Sequence, residues 1–283
     1  MTQPAESTSQ AAAAGLRLDL EGPVATVSLC RPDVLNAQTP AMWSALREFG
    51  RQLPGDIRIV IVRGEGRSFS AGLDLVVAGV LAPGGGASGG TAAAHQDLAA
   101  GGGTSFAELV TLPADEAAER IAVLQEGFSW LRRPDLISIA AVQGHAVGAG
   151  FQLALACDFR VLAEDAQLSM AEVRLGLVPD LGGTKRLLEL VGYARALEIC
   201  VTGRRVGAAE AGRMGLANIV VPLPELGGAV RDLADAVLAA RRDAVVEIKA
   251  LLAGAAGRDF AAQEAAERAA QVRRIHDLAG LGE

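Results

Sequence analysis

A glycine-rich turn between two apolar segments has the spacing and composition to stabilise a negative charge. Gly144, Gly148 and Gly150 separate the β-branched run 137–142 from an apolar segment that continues to residue 157. A turn that leads from a strand into a buried helix leaves the first backbone N–H groups of that helix without acceptors, and such groups attract anions. The spacing matches neither the dinucleotide fingerprint nor the P-loop, and no Gly-Lys-Ser/Thr follows. The turn therefore predicts an anion-stabilising site of a different type.

Histidine and cysteine, the side chains most often used as metal ligands or nucleophiles, are sparse in this chain. The histidines are His95, His145 and His276, and the cysteines are Cys30, Cys157 and Cys200. An odd number of widely spaced cysteines forms neither a disulfide framework nor a zinc site, and it suits a reducing compartment. We therefore expect no metal site and no catalytic histidine dyad.

The composition limits the classes of protein to which the chain can belong. It has 283 residues and a net charge of −7, with 51% hydrophobic and 4% aromatic residues. The length corresponds to about 1.9 typical domains, which favours one large domain with an appendage. The acidic balance argues against binding to nucleic acid, and the hydrophobic content excludes general disorder. Residues 1–14 lack a basic segment and a leucine-rich core, so they are interpreted as a flexible tail and not as a signal peptide.

One apolar stretch, Leu136 to Cys157, is 22 residues long and contains no Lys, Arg, Asp or Glu. Its length would suffice to cross a bilayer. However, it also contains Gln143, His145 and Gln152 together with the three glycines of the turn. We therefore interpret it as a buried strand, a glycine turn and a buried helix, and we expect no association with a membrane.

The elements that must position this turn follow from hydrophobic periodicity. The pattern predicts a hairpin over 16–29, a helix over 40–53, a strand at 57–62, a helix at about 113–132, and strands at 137–142 and 158–163. Residues 78–103 are almost entirely Gly, Ala and small polar residues, which is typical of a mobile insert. Beyond about residue 181 the pattern is helical apart from 218–221. This order predicts an α/β core followed by a helical C-terminal region.

Four motifs that occur in order along the chain resemble the crotonase superfamily, the enoyl-CoA hydratase/isomerase family. They are ArgProAspValLeuAsnAla (31–37), SerPheSerAlaGlyLeuAspLeu (68–75), GlyHisAlaValGlyAlaGlyPheGlnLeuAlaLeuAlaCysAsp (144–158) and GlyLeuValProAspLeuGlyGlyThr (176–184). The resemblance implies a crotonase-like spiral of ββα units over 16–205, preceded by the tail 1–15 and followed by a helical oligomerisation region at 206–283. It also implies an acyl-CoA thioester substrate and a homotrimer or dimer of trimers.

The resemblance assigns an oxyanion hole, formed by two backbone N–H groups that stabilise the enolate of the thioester. These are the amides of Leu73, which follows SerAlaGly, and of Ala149, which stands where the family usually has glycine. Backbone donors suit this role because they are already fixed before the reaction, and the loss of one such donor typically costs roughly 3–4 kcal/mol of barrier. Both segments could alternatively be tight turns with no catalytic role.

The acid–base positions implied by the resemblance are Gln152 and Glu172, where the family hydratases have two glutamates. Glutamine can hydrogen-bond a water molecule but cannot accept a proton from it. Two-glutamate hydration is therefore impaired, whereas Glu172 could still abstract a proton next to an activated thioester. The alternatives are that Glu172 is a solvated surface residue between two strands, and that Gln152 only shapes the substrate pocket or caps the core.

A further carboxylate, Asp180, corresponds in the resemblance to an aspartate of isomerase-type members that shuttles a proton. The alternative role for Asp180 is to cap a helix that starts at Leu181, since Asp is a favoured N-cap residue. The sequence leaves both roles open.

Contacts with coenzyme A are assigned by resemblance to two motifs. Arg31 would lie near the nucleotide, and the segment containing Ser68, Ser70, Ala71 and Asp74 would meet the adenine through its backbone carbonyls. The terminal helix, about 259–279, is interpreted as an oligomer or lid helix. The acyl pocket would be lined by the insert and the helix after it, over 78–112.

The sequence thus favours a cytoplasmic enzyme that shifts a double bond in an enoyl-CoA without metal, nucleotide or redox cofactor. The proton would be moved by Glu172, with Asp180 as a second carboxylate. The alternatives are an enoyl-CoA hydratase in which Gln152 orients the water, and a non-catalytic protein that binds acyl-CoA. RNA binding is disfavoured by the acidic charge balance.

Overall fold

The computed structural model describes residues 11–75 and 106–280, and within them the strands form two sheets. The strands are β1 Leu16–Glu21, β2 Val24–Leu29, β3 Ile59–Gly64, β4 Ile137–Val142, β5 His145–Val147, β6 Phe159–Ala163, β7 Gln167–Ser169, β8 Val206–Gly207 and β9 Ile219–Val221. The larger sheet has the order β1-β2-β3-β4-β6-β9, and the smaller one has the order β5-β7-β8. The pairs β1–β2 and β7–β8 are antiparallel, whereas the other pairs are parallel.

Helices cover both faces of the larger sheet, as parallel strands require. They are α1 Pro40–Gln52, α2 Phe106–Thr111, α3 Ala114–Ser129, α4 Ala149–Ala156, α5 Gly183–Val191, α6 Tyr193–Thr202, α7 Ala208–Arg213, α8 Leu226–Ala239, α9 Arg242–Ala255 and α10 Phe260–Leu278. The four motifs lie at the carboxyl ends of strands and at the starts of helices, so the fold collects them near one edge of the sheets.

Strand β4 lies at the centre of the larger sheet, and all six of its residues are buried. Ala140 and Val142 face a core that includes residues of α1 and α3, whereas Ile137 and Ile139 face a second core that includes α8. A strand with two buried faces has a continuous apolar sequence and no alternation. This explains why the stretch 136–157 resembles a membrane span in composition while forming β4, β5 and α4.

The C-terminal helices are attached to this sheet by buried polar groups as well as by apolar packing. Lys249 of α9 donates to a carboxylate oxygen of Asp158 and to the carbonyl of Leu136, both at 2.7 Å. Arg58, just before β3, donates to the carbonyls of Leu238 and Ala240 at the end of α8. The helical C-terminal region is therefore packed on the core.

The α/β architecture with C-terminal helices agrees with the sequence-based prediction, and most element bounds agree within a few residues. The short strands β5, β7 and β8 were not predicted, because two or three residues show no periodicity and, unlike Ile219–Val221 of β9, these strands are not β-branched runs. The predicted insert 78–103 lies outside the described residues, and the predicted domain bounds stay predictions. None of the helices within the described ranges has both the length and the apolar composition to cross a bilayer.

Candidate active site

The glycine turn of the sequence analysis leads from β5 into α4 and presents a free amide at the start of that helix. Gly148 has a φ of 51°, and its own N–H donates to the carbonyl of Ser169 at 2.8 Å. Ala149 is the first residue of α4, where an amide has no intrahelical acceptor. No acceptor for the Ala149 N–H is found among the described residues. The helix dipole also makes this end of α4 favourable for negative charge.

A second free amide belongs to Leu73, and a neighbouring strand-like contact explains why it is free. The N–H of Gln38 donates to the carbonyl of Gly72 at 2.6 Å, and the N–H of Asp74 donates to the carbonyl of Gln38 at 2.8 Å. This pairing uses the groups on both sides of Leu73 and leaves its own N–H without an acceptor among the described residues.

The segment that carries Leu73 and the turn that carries Ala149 approach each other closely at Gly72. A Cβ built on Gly72 would be 3.6 Å from the nitrogen of Ala149 and 2.5 Å from the carbonyl oxygen of Val147. Gly72 also has a φ of +91°, which residues with a side chain rarely adopt. Glycine at this position therefore lets the two segments approach each other.

Leu73 and Ala149 both line a cavity of about 430 Å³. Its apolar wall includes Pro40, Trp43, Ile121, Leu124, Val147 and Leu177. Glu172, Asp180 and Gln152 also line it. The fold therefore brings together every residue that the sequence analysis predicted for the oxyanion hole and for acid–base chemistry.

Glu172 begins a short 3-10 turn, Glu172–Leu175, directly after β7. Its carboxyl lies over Gly148, where a built Cβ would be 3.3 Å from Oε1. Oε1 accepts a hydrogen bond from Nε2 of Gln152 at 2.7 Å, whereas Oε2 is buried and has no partner among the described residues. Burial raises the pKa of Glu172 above the ordinary 4.5; hydrogen bonds from its own backbone amide and from the Gln152 N–H oppose this shift, and the charge of Asp180 adds to it. The alternative of a solvated surface glutamate is therefore wrong.

Gln152 is on the buried helix α4 and is 1% exposed. Besides donating to Glu172, it accepts from the amides of Leu181 and Gly183 through Oε1, at 2.9 and 3.2 Å. The side chain thus connects the glutamate to the loop that carries Asp180.

Asp180 is an exposed residue of the loop before α5, and it faces the same cavity as Glu172. Although the residue as a whole is exposed, the protein atoms around its carboxyl exclude water from it and so raise the pKa of Asp180. A backbone hydrogen bond opposes this shift. Helix α5 begins at Gly183, and its N-cap residue is Gly182, which has a φ of 86° and no side chain; the amide of Gly183 donates to Oε1 of Gln152 instead. The alternative role of Asp180 as the cap of a helix starting at Leu181 is therefore wrong, because the helix starts two residues later.

The residues predicted to contact coenzyme A are mostly buried, and their polar groups are bound to protein groups. Arg31 is 8% exposed; its Nη2 pairs with Oδ2 of Asp74 at 3.0 Å, and its Nη1 donates to the carbonyl of Ala37. An arginine that is buried in this way holds its loop and does not extend from the surface toward a phosphate. As a direct phosphate contact, Arg31 is therefore not supported by its position.

The other residues of this set are similarly occupied, with one exception. Ser68 lies 3.3 Å from Nδ1 of His145, and Ser70 donates to the carbonyl of Asn36 at 2.8 Å. The carbonyls of Ser68 and Ser70 also accept hydrogen bonds within the protein. Ala71 lines the cavity beside the two free amides. A contact of this segment with coenzyme A stays a prediction, carried best by Ala71.

Asn36 organises the whole region, although the sequence analysis assigned it no role. It is fully buried with a φ of 55°, its Nδ2 donates to the carbonyls of Glu65 and Ser68, and its Oδ1 accepts from the amide of Arg31, each at 2.8 Å. Asparagine tolerates this left-handed conformation better than most residues. Its position in the motif 31–37 was the one sequence feature that could have indicated this structural role.

Comparison with known proteins gives concordant results. Residues 92–279 match the family described as enoyl-CoA hydratase/isomerase. A carnitinyl-CoA dehydratase of Salmonella enteritidis is 36% identical over 238 residues, which are 83% of this chain and 78% of the relative.

Solved structures are also similar to this chain. One is a Thermobifida fusca protein, provisionally named an enoyl-CoA hydratase and bound to acetoacetyl-CoA. It is 45% identical with a TM-score of 0.84, and the alignment covers 95% of this chain and 98% of that one. An enoyl-CoA hydratase of Bacillus anthracis is 26% identical with a TM-score of 0.73, covering 93% and 94% of the two chains.

Proposed function

The chain belongs to the enoyl-CoA hydratase/isomerase family, and from this premise we propose that it catalyses the reversible addition of water to the double bond of a 2-enoyl-CoA. The named curated relative is a dehydratase, which supports a reaction that adds or removes water. The ligand of the Thermobifida fusca relative supports an acyl-CoA thioester as the substrate.

The observation that carries the proposal is the meeting of two free amides and two carboxyl groups at one largely apolar cavity. The amides of Leu73 and Ala149 would donate to the thioester oxygen and stabilise the enolate that forms during proton transfer. Their geometry exists before any substrate binds, so no reorganisation is needed when the charge develops.

In the direction of water elimination, the unpartnered Oε2 of Glu172 would remove the proton from C2 of a 3-hydroxyacyl-CoA. The electron pair of the C2–H bond would move into the enolate, whose negative oxygen lies between the two amides. The enolate would then form the C2–C3 double bond as the C3–O bond breaks, and the protonated carboxyl of Asp180 would supply the proton that releases the hydroxyl as water. Burial raises the pKa of Asp180, which favours the protonated form that this step requires.

The isomerase reaction favoured by the sequence is the second candidate, and Gln152 supports it. Its amide cannot accept a proton, and its oxygen is already engaged by two backbone amides. A double-bond shift needs only that a carboxyl remove a proton at one carbon and return it at another. The comparisons extend to the family and to a named dehydratase, so they do not support the preference for an isomerase.

Two substrates separate these candidates. With a 2-enoyl-CoA, hydration removes the conjugated absorbance and the product gains the mass of one water. With a 3-enoyl-CoA, isomerisation creates that absorbance at constant mass. Turnover of the 3-enoyl-CoA alone would contradict the hydratase, and turnover of neither would leave a protein that only binds acyl-CoA.

A matched pair of variants tests the catalytic base. Glu172→Gln should reduce turnover by roughly a hundredfold to ten-thousandfold, the usual contribution of a positioned acid or base. Glu164→Gln, at an exposed turn away from the cavity, should retain full turnover. Equal activity of the two variants would contradict the assignment.

We also propose the homotrimer or dimer of trimers, and one exposed face supports it. Tyr193, Leu197 and Val201 recur at every fourth residue of α6 and are 71%, 45% and 57% exposed. An apolar stripe of this kind is usually covered in an assembly. Light scattering at increasing concentration tests this.

The proposal further includes a cytoplasmic location, no cofactor apart from the coenzyme A of the substrate, and no binding to nucleic acid.

A further inference from the structure

Gln152 is the polar side chain that links the two carboxyl-bearing segments of the cavity. Its Nε2 donates to Oε1 of Glu172 at 2.7 Å, and its Oε1 accepts from the amides of Leu181 and Gly183 at 2.9 and 3.2 Å. The side chain is 1% exposed, so water does not compete for these contacts.

The surrounding backbone fixes which end of the amide faces the glutamate. The N–H groups of Leu181 and Gly183 can only donate, so the atom between them must be the oxygen of Gln152. Its NH₂ group must then face Glu172. A rotation of the amide by half a turn would place three donors together on one side and the two oxygens together on the other.

This fixed donor makes the two oxygens of Glu172 different. Oε1 is engaged by Gln152, whereas Oε2 is buried and has no partner among the described residues. We propose that Gln152 is a positioning residue, which holds Oε1 of Glu172 through an amide of fixed orientation and reserves Oε2 for proton transfer. The inference rests on the proposed role of Glu172 as the base.

The chemistry of this contact differs from that of a glutamate at position 152. Two carboxylates whose oxygens are 2.7 Å apart would share one proton, because both cannot remain ionised at that distance. The N–H of Gln152 instead favours the ionised form of Glu172, against the burial of its carboxyl. Glu172 can therefore act as a base without first giving up a proton to a neighbour.

The experiment compares two substitutions that separate holding the loop from donating to Glu172. Gln152→Glu keeps an oxygen for the amides of Leu181 and Gly183 but replaces the donor. Gln152→Met removes both functions at nearly the same volume. Gln52→Glu and Gln52→Met are the matched controls, since Gln52 donates to Glu48 on the exposed face of α1.

Two measurements are made on each variant. The titration of Glu172 is measured by carbon NMR on protein labelled at the glutamate carboxyl carbon, with its signal assigned by the loss seen in Glu172→Gln. The pH dependence of kcat and KM is measured on the enoyl-CoA that the enzyme converts, and a thermal midpoint shows that each variant is folded.

We expect the pKa of Glu172 and the acid limb of kcat to move to higher pH in both Gln152 variants, because both lose the donor to the ionised form. We also expect kcat to fall by roughly tenfold to a hundredfold, with KM nearly unchanged, since misplacing a catalytic group by about 1 Å can cost a hundredfold. The Gln52 variants should leave both readouts unchanged.

An unchanged titration of Glu172 in Gln152→Glu would overturn the inference, as would a shift confined to Gln152→Glu when Gln152→Met is folded. In the first case Gln152 only holds the loop, and in the second the added charge alone acts. If Gln152→Met does not fold, Gln152→Leu takes its place, since it also removes the donor without adding a charge. If the native protein converts no enoyl-CoA, the proposed function fails, and the NMR titration still decides whether Gln152 fixes Glu172.

Discussion

Replacing Gly72 by alanine should separate the two amides of the predicted oxyanion hole. The built Cβ would be 2.5 Å from the carbonyl oxygen of Val147, whereas an ordinary contact begins at 3.4 Å. One of the two segments must therefore move by about 0.9 Å. Neither side can yield easily, because the obstacle is backbone in β5 just before the turn into α4.

The size of the effect follows from this displacement. A misplacement of about 1 Å can cost a hundredfold in rate, and losing one oxyanion donor costs about a hundredfold to a thousandfold. We expect kcat to fall by at least about a hundredfold, and KM to change less, because the amides act mainly on the transition state. Alanine at a φ of +91° also costs about 1–2 kcal/mol of folding free energy, in addition to the clash.

Gly22→Ala is the matched control, since Gly22 has a φ of +54° and no atom within 4 Å of a built Cβ. It should cost a similar backbone penalty and leave turnover intact. Both variants are assayed for 2-enoyl-CoA hydration at a temperature where urea unfolding shows each to be folded. Native kcat in Gly72→Ala would refute the proposal that the spacing of these amides supports catalysis.

Three further substitutions test the polar groups around the site and the core. Glu172→Gln should raise the thermal midpoint at neutral pH. The pKa of Glu172 is raised in the folded state, so its ionised carboxyl destabilises the fold there, and glutamine removes that cost. The gain should vanish below about pH 4.5, where the carboxyl is protonated in both the folded and the unfolded state. Lys249→Met should cost about 3 kcal/mol in urea unfolding by leaving Asp158 unpaired, and adding Asp158→Asn should restore part of it. Asn36→Asp should cost about 2–3 kcal/mol in the same measurement, because two buried carbonyls lose their donor.

The fold was largely predictable because its main elements have strong local patterns. The apolar run of β4, the hairpin β1–β2 and the stripe of α1 each follow from periodicity alone, and the family resemblance supplied the topology that the comparisons confirm. The three short strands could not be predicted, since their pairing depends on the rest of the sheet. The preference for an isomerase rested on Gln152 in place of a second glutamate and on the resemblance of Asp180 to an isomerase aspartate, and the comparisons do not support it.

By itself, the sequence determined the identity of the groups at the site: the glycines that permit close backbone approach, the single glutamate and the glutamine in place of a second one. The tertiary structure alone decided their relations. It showed that Asp180 faces the cavity and caps no helix, and that Arg31 is buried against Asp74. It also showed that the Gln152 amide has one possible orientation. These relations join residues far apart in the chain, so they depend on how the sheets and helices pack and no local pattern encodes them.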